Sequence, residues 1–191
     1  MINGYLDVAL VVDVEATCWK EAPPNGQESE IIEVGVCLLD LQTGERQEKV
    51  SLLVRPERSV VSPFCTELTT LTQEQVAQGM TFSEACQVLQ THFRSGQRIW
   101  ASYGDYDRKQ FERQCATRGI PYPFGSTHLN LKTLCALHLG LPRERGLTTI
   151  CSAMGVRMEG THHRGADDAW NTAELFSRLL KSMRKKEIPS G

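Results

Sequence analysis

The sequence predicts an α/β domain built on a mixed sheet of about five strands with helices packed against it. Three observations predict it. Leu6 to Cys18 opens with a nearly uninterrupted aliphatic run, Val8, Leu10, Val11, Val12 and Val14, which suits a strand buried on both faces. Two further strand-like segments follow through short connections, the pattern of an antiparallel meander. Beyond them, short strands alternate with segments of helical periodicity.

The elements are justified in order. After the first strand, Trp19 to Ser29 is a polar loop with Pro23-Pro24-Asn25-Gly26 as its turn. Glu30 to Asp40 is a second strand and Glu48 to Arg55 a third, separated by a turn at Gln42 to Glu45 and stopped by Pro56. Thr72-Gln-Glu-Gln75 and Thr81-Phe-Ser-Glu84 are capping boxes, each announcing a helix. From Phe82, the apolar residues Ala85, Leu89 and Phe93 recur at helical spacing until Gly96. Arg98 to Ser102 is a short strand, Tyr103 to Asp107 a turn, and Arg108 to Arg118 a helix closed by Gly119. Leu129 to Leu131 is a further strand, followed by helices over Lys132–Leu139 and Thr148–Met154. The last helix runs from Ala166 to Arg184 with Ala169, Ala173, Phe176 and Leu180 inward, and its charged end, Lys181 to Glu187, reads as a solvated face or tail.

At 191 residues the chain reads as one domain over 1–191, with a core of about residues 6–184. Its hydrophobic and charged fractions, 40% and 23%, are those of a soluble globular protein. A net charge of −2 argues against a large basic face for duplex DNA, though not against a small nucleic-acid site where bound cations supply the positive charge. The seven cysteines are spread singly with no CxxC pair, so they read as small buried apolar residues in a reducing compartment. Asp7 and Asp13 interrupt the apolar N-terminal run. Neither a signal peptide nor a membrane span is expected, and the reading is cytoplasmic.

Three places concentrate chemistry. On the first strand, Asp13 and Glu15 alternate to the same side, ~6–7 Å apart. Two carboxylates at the end of an apolar strand are costly unless a cation sits between them, and a hard divalent metal suits that role. Tyr103-Gly-Asp105-Tyr106-Asp107 sets two carboxylates at a helix start, and His162-His163-Arg-Gly-Ala-Asp167-Asp168 sets imidazoles before two more. Each has a plainer reading when taken singly: a polar strand end, an N-cap, or acids favoured in a first helical turn beside solvated histidines.

Taken together, the order D-x-E, Tyr-Asp and H-x4-D resembles the DEDDh 3′-5′ exonucleases, whose members include RNase T, oligoribonuclease and the proofreading subunit of replicative polymerases. The likeness narrows to the Eri-type branch, which includes the histone-mRNA 3′ exonuclease. Val11 to Cys18, Glu30 to Gly35, Val54-Arg-Pro56, Phe64-Cys65, Leu68 to Val76 and Asn130-Leu-Lys132 all follow that branch's pattern. It departs at Thr70, where the branch usually has glycine, and at Tyr103 to Tyr106, where the family often has tryptophan.

The resemblance implies an RNase H-like (DnaQ-type exonuclease) fold. It also implies hydrolysis of single-stranded RNA or DNA from the 3′ end to nucleoside 5′-monophosphates, with RNA favoured by the branch. Asp13, Glu15, Asp107 and Asp168 would hold two divalent ions, Mg2+ or Mn2+, with Asp13 between them. In nucleases such ions sit ~3.5–4 Å apart. His163 would be the general base, since an imidazole titrates near working pH. Spacing alone does not choose between His163 with Asp168 and His162 with Asp167, and Asp105 remains the alternative to Asp107. Around the substrate, the resemblance sets the backbone at Ala16 and Thr17 beside the terminal nucleotide, and Leu71 and Tyr106 against bases. Glu33 reads as structural. Two other classes stay open on sequence alone: a non-catalytic module that binds nucleic-acid ends, and a two-metal phosphoesterase of small substrates.

Overall fold

The computed structural model describes residues 5–184. The first strand, β1 (Tyr5–Ala16), is the centre of a five-stranded sheet. It pairs antiparallel with β2 (Ile31–Asp40), which pairs antiparallel with β3 (Arg46–Leu53), so the meander is present. On its other side β1 pairs parallel with β4 (Arg98–Ser102), and β4 pairs parallel with β5 (His128–Asn130). The strand order β3-β2-β1-β4-β5 makes the sheet mixed, as the sequence predicts.

Between β3 and β4 lie α1 (Pro63–Thr69), α2 (Gln73–Ala77) and α3 (Phe82–Thr91). Then come α4 (Tyr106–Arg118), α5 (Leu131–His138), α6 (Leu147–Ala153) and α7 (Gly165–Arg184). Both capping boxes form as expected, at Thr72 with Gln75 and at Thr81 with Glu84.

Alternation along β1 divides the core. Ala9 and Val11 face one side, with Cys37, Leu39 and Ala101, and are covered by α5, α6 and α7. Leu10, Val12 and Val14 face the other, with Val34, Val36 and Trp100, and are covered by α3 and α4. Each fully buried Val or Leu contributes about 1.5–3 kcal/mol relative to exposure, so this strand is strongly anchored. By the same alternation Asp13 and Glu15 continue the Ala9–Val11 stripe, on the side where α7 begins.

Several elements differ from the sequence reading. Helix α1 carries no periodic signal long enough to announce it. Its start was nonetheless written locally, because Ser62 accepts the Cys65 N–H as N-cap and Pro63 occupies the first turn. It ends at Thr70 in the left-handed region (φ 63), which explains why glycine is the common residue there in the branch it resembles. The first strand stops at Ala16, with an irregularity between Glu15 and Ala16, and β3 starts at Arg46. Helix α3 ends at Thr91, not at Gly96, because Ser95 turns back to donate to the Leu89 carbonyl and, through its hydroxyl, to the Pro123 carbonyl. Helix α4 starts at Tyr106, two residues before the expected start. On α7 the inward face holds, with Ala169, Ala173 and Phe176 buried and Leu180 half-buried. Its end is not purely solvated, since the Arg184 guanidinium donates to the carbonyls of Leu41 and Gln42. The remainder of the expected charged tail, 185–187, lies outside the described residues.

Candidate active site

Backbone geometry brings the three motifs together at one edge of the sheet. Gly35 of β2 and Gly165 at the start of α7 are pressed against each other: a Cβ on Gly35 would stand 1.9 Å from the Gly165 carbonyl carbon. A Cβ on Gly165 would in turn meet the Asp13 carbonyl oxygen at 3.1 Å. Glycine at 35 allows the first turn of α7, which carries Asp168, to rest on the sheet beside the strand that carries Asp13, and at 165 a side chain would be a tight fit. Glu33 clamps the same junction. Fully buried, its carboxylate accepts from the Gly165 N–H (2.9 Å), Arg164 Nε (3.1 Å) and the Ser51 hydroxyl (2.5 Å). Its structural reading is thus given a definite form.

The middle motif arrives through α4. After β4 the chain turns at Gly104, whose φ of +112° suits glycine, and the Ser102 hydroxyl donates to the Gly104 carbonyl (2.8 Å). Asp105 takes the N-cap position without capping and is drawn outward to Arg108 (3.4 Å). Asp107 points inward, is buried, and accepts the Val14 N–H at 2.8 Å. That bond is made by the residue between Asp13 and Glu15, so it pins Asp107 beside the acid pair. Of the two acids, Asp107 lies in the acidic cluster and lines the pocket, whereas Asp105 turns outward to Arg108.

A pocket of ≈ 380 Å³ results. Asp13, Glu15, Asp107, Asp168, His162 and His163 all line it. Carboxylate oxygens of Asp13, Glu15 and Asp168 lie within 4.8 Å of one another, and Asp168 forms a second such group with His162 and His163. His162 Nδ1 sits 2.8 Å from Asp168 Oδ2, and the His163 N–H donates to the same oxygen at 2.9 Å. The two imidazoles stack, centroids 3.9 Å apart. His163 is held in the left-handed region (φ 64), a strained conformation for a side chain of that size, and the bond to Asp168 helps hold it there.

The electrostatics fit a metal site. Among the described residues, the carboxylates of Asp13 and Glu15 make no hydrogen bond or ion pair. Burial, then the charge of Asp107 and its acidic neighbours, holds Asp13 well above the carboxylate range. Burial and the charge of Asp168 push Glu15 up to about 8. Burial likewise raises Asp107 to about 7, against the lowering effect of the Val14 N–H. Arg164 relieves Glu15 only in part, since it is committed to Glu33. An oxygen-only donor set with this much unrelieved repulsion suits hard divalent cations. His163 is shifted the other way: burial, then the nearby His162, lowers its pKa and favours the neutral ring.

The substrate contacts divide. Ala16 and Tyr106 line the pocket, with Tyr106 exposed at its mouth. Thr17 does not: it is fully buried, its N–H bonded to the Glu30 carbonyl and its hydroxyl engaged by Ser59 and the Glu30 N–H. Leu71 does not either. It is core, packed with Ile32, Cys65 and Val76, because the left-handed turn at Thr70 directs the chain inward. The exposed Leu68, one turn earlier on α1, lines the pocket instead. Cys18, Tyr103, Lys132 and Leu147 also line it and were not singled out for that role by sequence. Strand order would have suggested Lys132, since it follows the third parallel strand.

Known proteins resemble this chain along most of its length. The profile described as Exonuclease (RNase T) matches residues 10–176. Human 3′-5′ exoribonuclease 1 is 30% identical over 190 residues, covering 94% of this chain and 54% of that protein. The Drosophila melanogaster 3′-5′ exonuclease Snipper is 28% identical over 194 residues, covering 90% and 69%. The chain thus spans about half the length of the human relative. The nuclease domain of 3′hExo, a DEDDh family member bound to rAMP, superposes with a TM-score of 0.84 at 30% identity, covering 93% of this chain and 94% of that one. The RNase H-like fold expected from the motifs is therefore present, and the chain belongs to the exonuclease family, among its DEDDh members.

Proposed function

We propose that this chain is a metal-dependent 3′-5′ exonuclease that shortens single-stranded RNA or DNA, with RNA favoured, to nucleoside 5′-monophosphates. The observation that carries it is the convergence of Asp13, Glu15, Asp107 and Asp168 on one pocket beside two histidines. The relatives named as exoribonucleases favour RNA.

Asp13, Glu15, Asp107 and Asp168 would hold two ions, Mg2+ or Mn2+, which when bound supply charge stabilisation to the attacking and leaving oxygens. The chain's own residues do the rest. His163, kept neutral by burial, takes the proton of the attacking water. His162, bonded to Asp168, fixes that carboxylate and, by stacking, orients His163. Val14 fixes Asp107 through its N–H. Tyr106 and Leu68 offer apolar surface to the terminal base, which any sequence can use. A pocket of ≈ 380 Å³ suits a single unpaired terminus. No helix among the described residues is long and apolar enough to cross a membrane, and the seven cysteines are unpaired, which suits a reducing, cytoplasmic setting.

The test uses a linear RNA and a circle of the same sequence with Mn2+. Loss of the linear form alone supports an exonuclease. Binding of the linear form without shortening would instead mean an end-binding module, and hydrolysis only of small diesters would mean a small-molecule phosphoesterase.

A further inference from the structure

Among the described residues that line the pocket, Lys132 is the only lysine or arginine. Its position follows from topology. Strands β1, β4 and β5 are parallel neighbours, so their C-terminal ends share one edge of the sheet. There, β1 delivers Asp13 and Glu15, and β5 passes directly into α5, whose second residue is Lys132. Two strand spacings of ~4.8 Å place the start of α5 roughly 10 Å from β1 along that edge. The aliphatic stem crosses the turn at Gly104, Cδ lying 3.6 Å from where a Cβ on that glycine would stand. Protein contacts leave the ammonium loosely held. Its ionic neighbour is Glu144 at 4.0 Å, itself 43% exposed and engaged by the Thr133 hydroxyl (2.5 Å). An exposed pair of that kind contributes little.

A polynucleotide brings more than one phosphate to such a pocket. The scissile diester belongs with the carboxylates and their cations. The next diester, toward the 5′ side, carries a full negative charge past an acidic wall, and the cation that the pocket lining offers it is Lys132. A lysine is a compact charge suited to a phosphate that must bind and release as the chain advances.

We propose that Lys132 forms a second phosphate subsite, in which its ammonium leaves Glu144 and binds the backbone phosphodiester adjacent to the scissile one. The proposal rests on the exonuclease reading above, and it places the preference for a polynucleotide over a small diester in this side chain.

Lys132→Met keeps the stem over Gly104 and removes the charge, and thermal melting verifies that the variant is folded. Kinetics are measured on a short single-stranded oligoribonucleotide and on a nucleoside 5′-(4-nitrophenyl) phosphate, which has one diester only. The ratio of kcat/KM between the two substrates should fall about tenfold, mostly through KM on the oligonucleotide, as for loss of one charge-assisted contact. The dependence of log kcat/KM on log salt should become shallower by about 0.7, one phosphate's share on a single strand. Lys132→Arg should restore most of both. A ratio and salt slope equal to those of the wild type would overturn the subsite, and so would an equal loss on both substrates. A wild-type protein inactive on both would instead overturn the exonuclease reading itself.

Discussion

Gly35 and Gly165 lie in backbone contact, and the site depends on it. A methyl at 35 would stand 1.9 Å from the Gly165 carbonyl carbon, with no flexible side chain to yield. Gly35→Ala must therefore push the first turn of α7 off the sheet, and Asp168 with it. Overpacking costs about 1–3 kcal/mol, or more against backbone. At roughly 2–4 °C per kcal/mol for a domain of this size, the melting temperature should fall by about 2–12 °C. Divalent-metal affinity, read by calorimetry below the transition, should weaken at least tenfold, about 1.4 kcal/mol. A variant that melts and binds as the wild type does would show that the two backbones can part freely.

The raised carboxyls predict a pH dependence with a definite sign. Glu15 titrates at about 8 and Asp107 at about 7 in the folded chain, against 4.5 and 3.8 as ordinary values. A raised folded pKa gives stability below the unfolded value that is lost as pH rises through the folded one. In chelator, thermal stability should therefore decline between about pH 5 and pH 8. Glu15→Gln should flatten part of that decline, and Mn2+ should restore stability most at the alkaline end. A chelated protein whose stability is indifferent to pH, and to added Mn2+, would contradict the electrostatic account.

The two histidines should separate by kinetics. His163→Ala should lose roughly 10²–10⁴-fold in kcat, the range for a general base. His162→Ala loses the partner of Asp168 and the stacked ring, so it should need more Mn2+ for half-maximal rate while keeping kcat within about tenfold. The reverse pattern would assign the proton transfer to His162.

Leu68 and Leu71 should respond oppositely to truncation. Leu71→Ala opens a cavity in the cluster of Ile32, Cys65 and Val76 and should cost about 2–5 kcal/mol of stability. Leu68→Ala removes a partly exposed wall of the pocket and should leave stability within about 1 kcal/mol while raising KM for RNA. Denaturant melts and initial rates on the same two variants decide it.

How much of this was legible in the sequence depends on range. The strand meander, both capping boxes and the inward face of the last helix are local patterns, and they stand as read. The acid set was legible because it recurs as short motifs, yet the motifs alone left Asp105 beside Asp107. That choice turns on the Val14 N–H, a contact across 93 residues. Leu71 was misplaced for a similar reason: its neighbours suited a pocket wall, and only the left-handed turn at Thr70 sends it into the core. Helix α1 was missed because its seven residues are too few to show a period. The Gly35–Gly165 contact could not be read at all, since neither glycine sits where a turn would require it.

The central claim, that these carboxylates drive hydrolysis from a 3′ end, is tested most directly with Asp13→Ala. Removing a half-buried, uncompensated carboxylate should leave the chelated protein at least as stable as the wild type, so lost activity would not mean lost fold. On a 5′-labelled single-stranded RNA with Mn2+, the wild type should give a ladder shortening from the 3′ end with nucleoside 5′-monophosphate released. Asp13→Ala should leave the RNA intact. Equal shortening by both proteins, or by neither, would contradict the account.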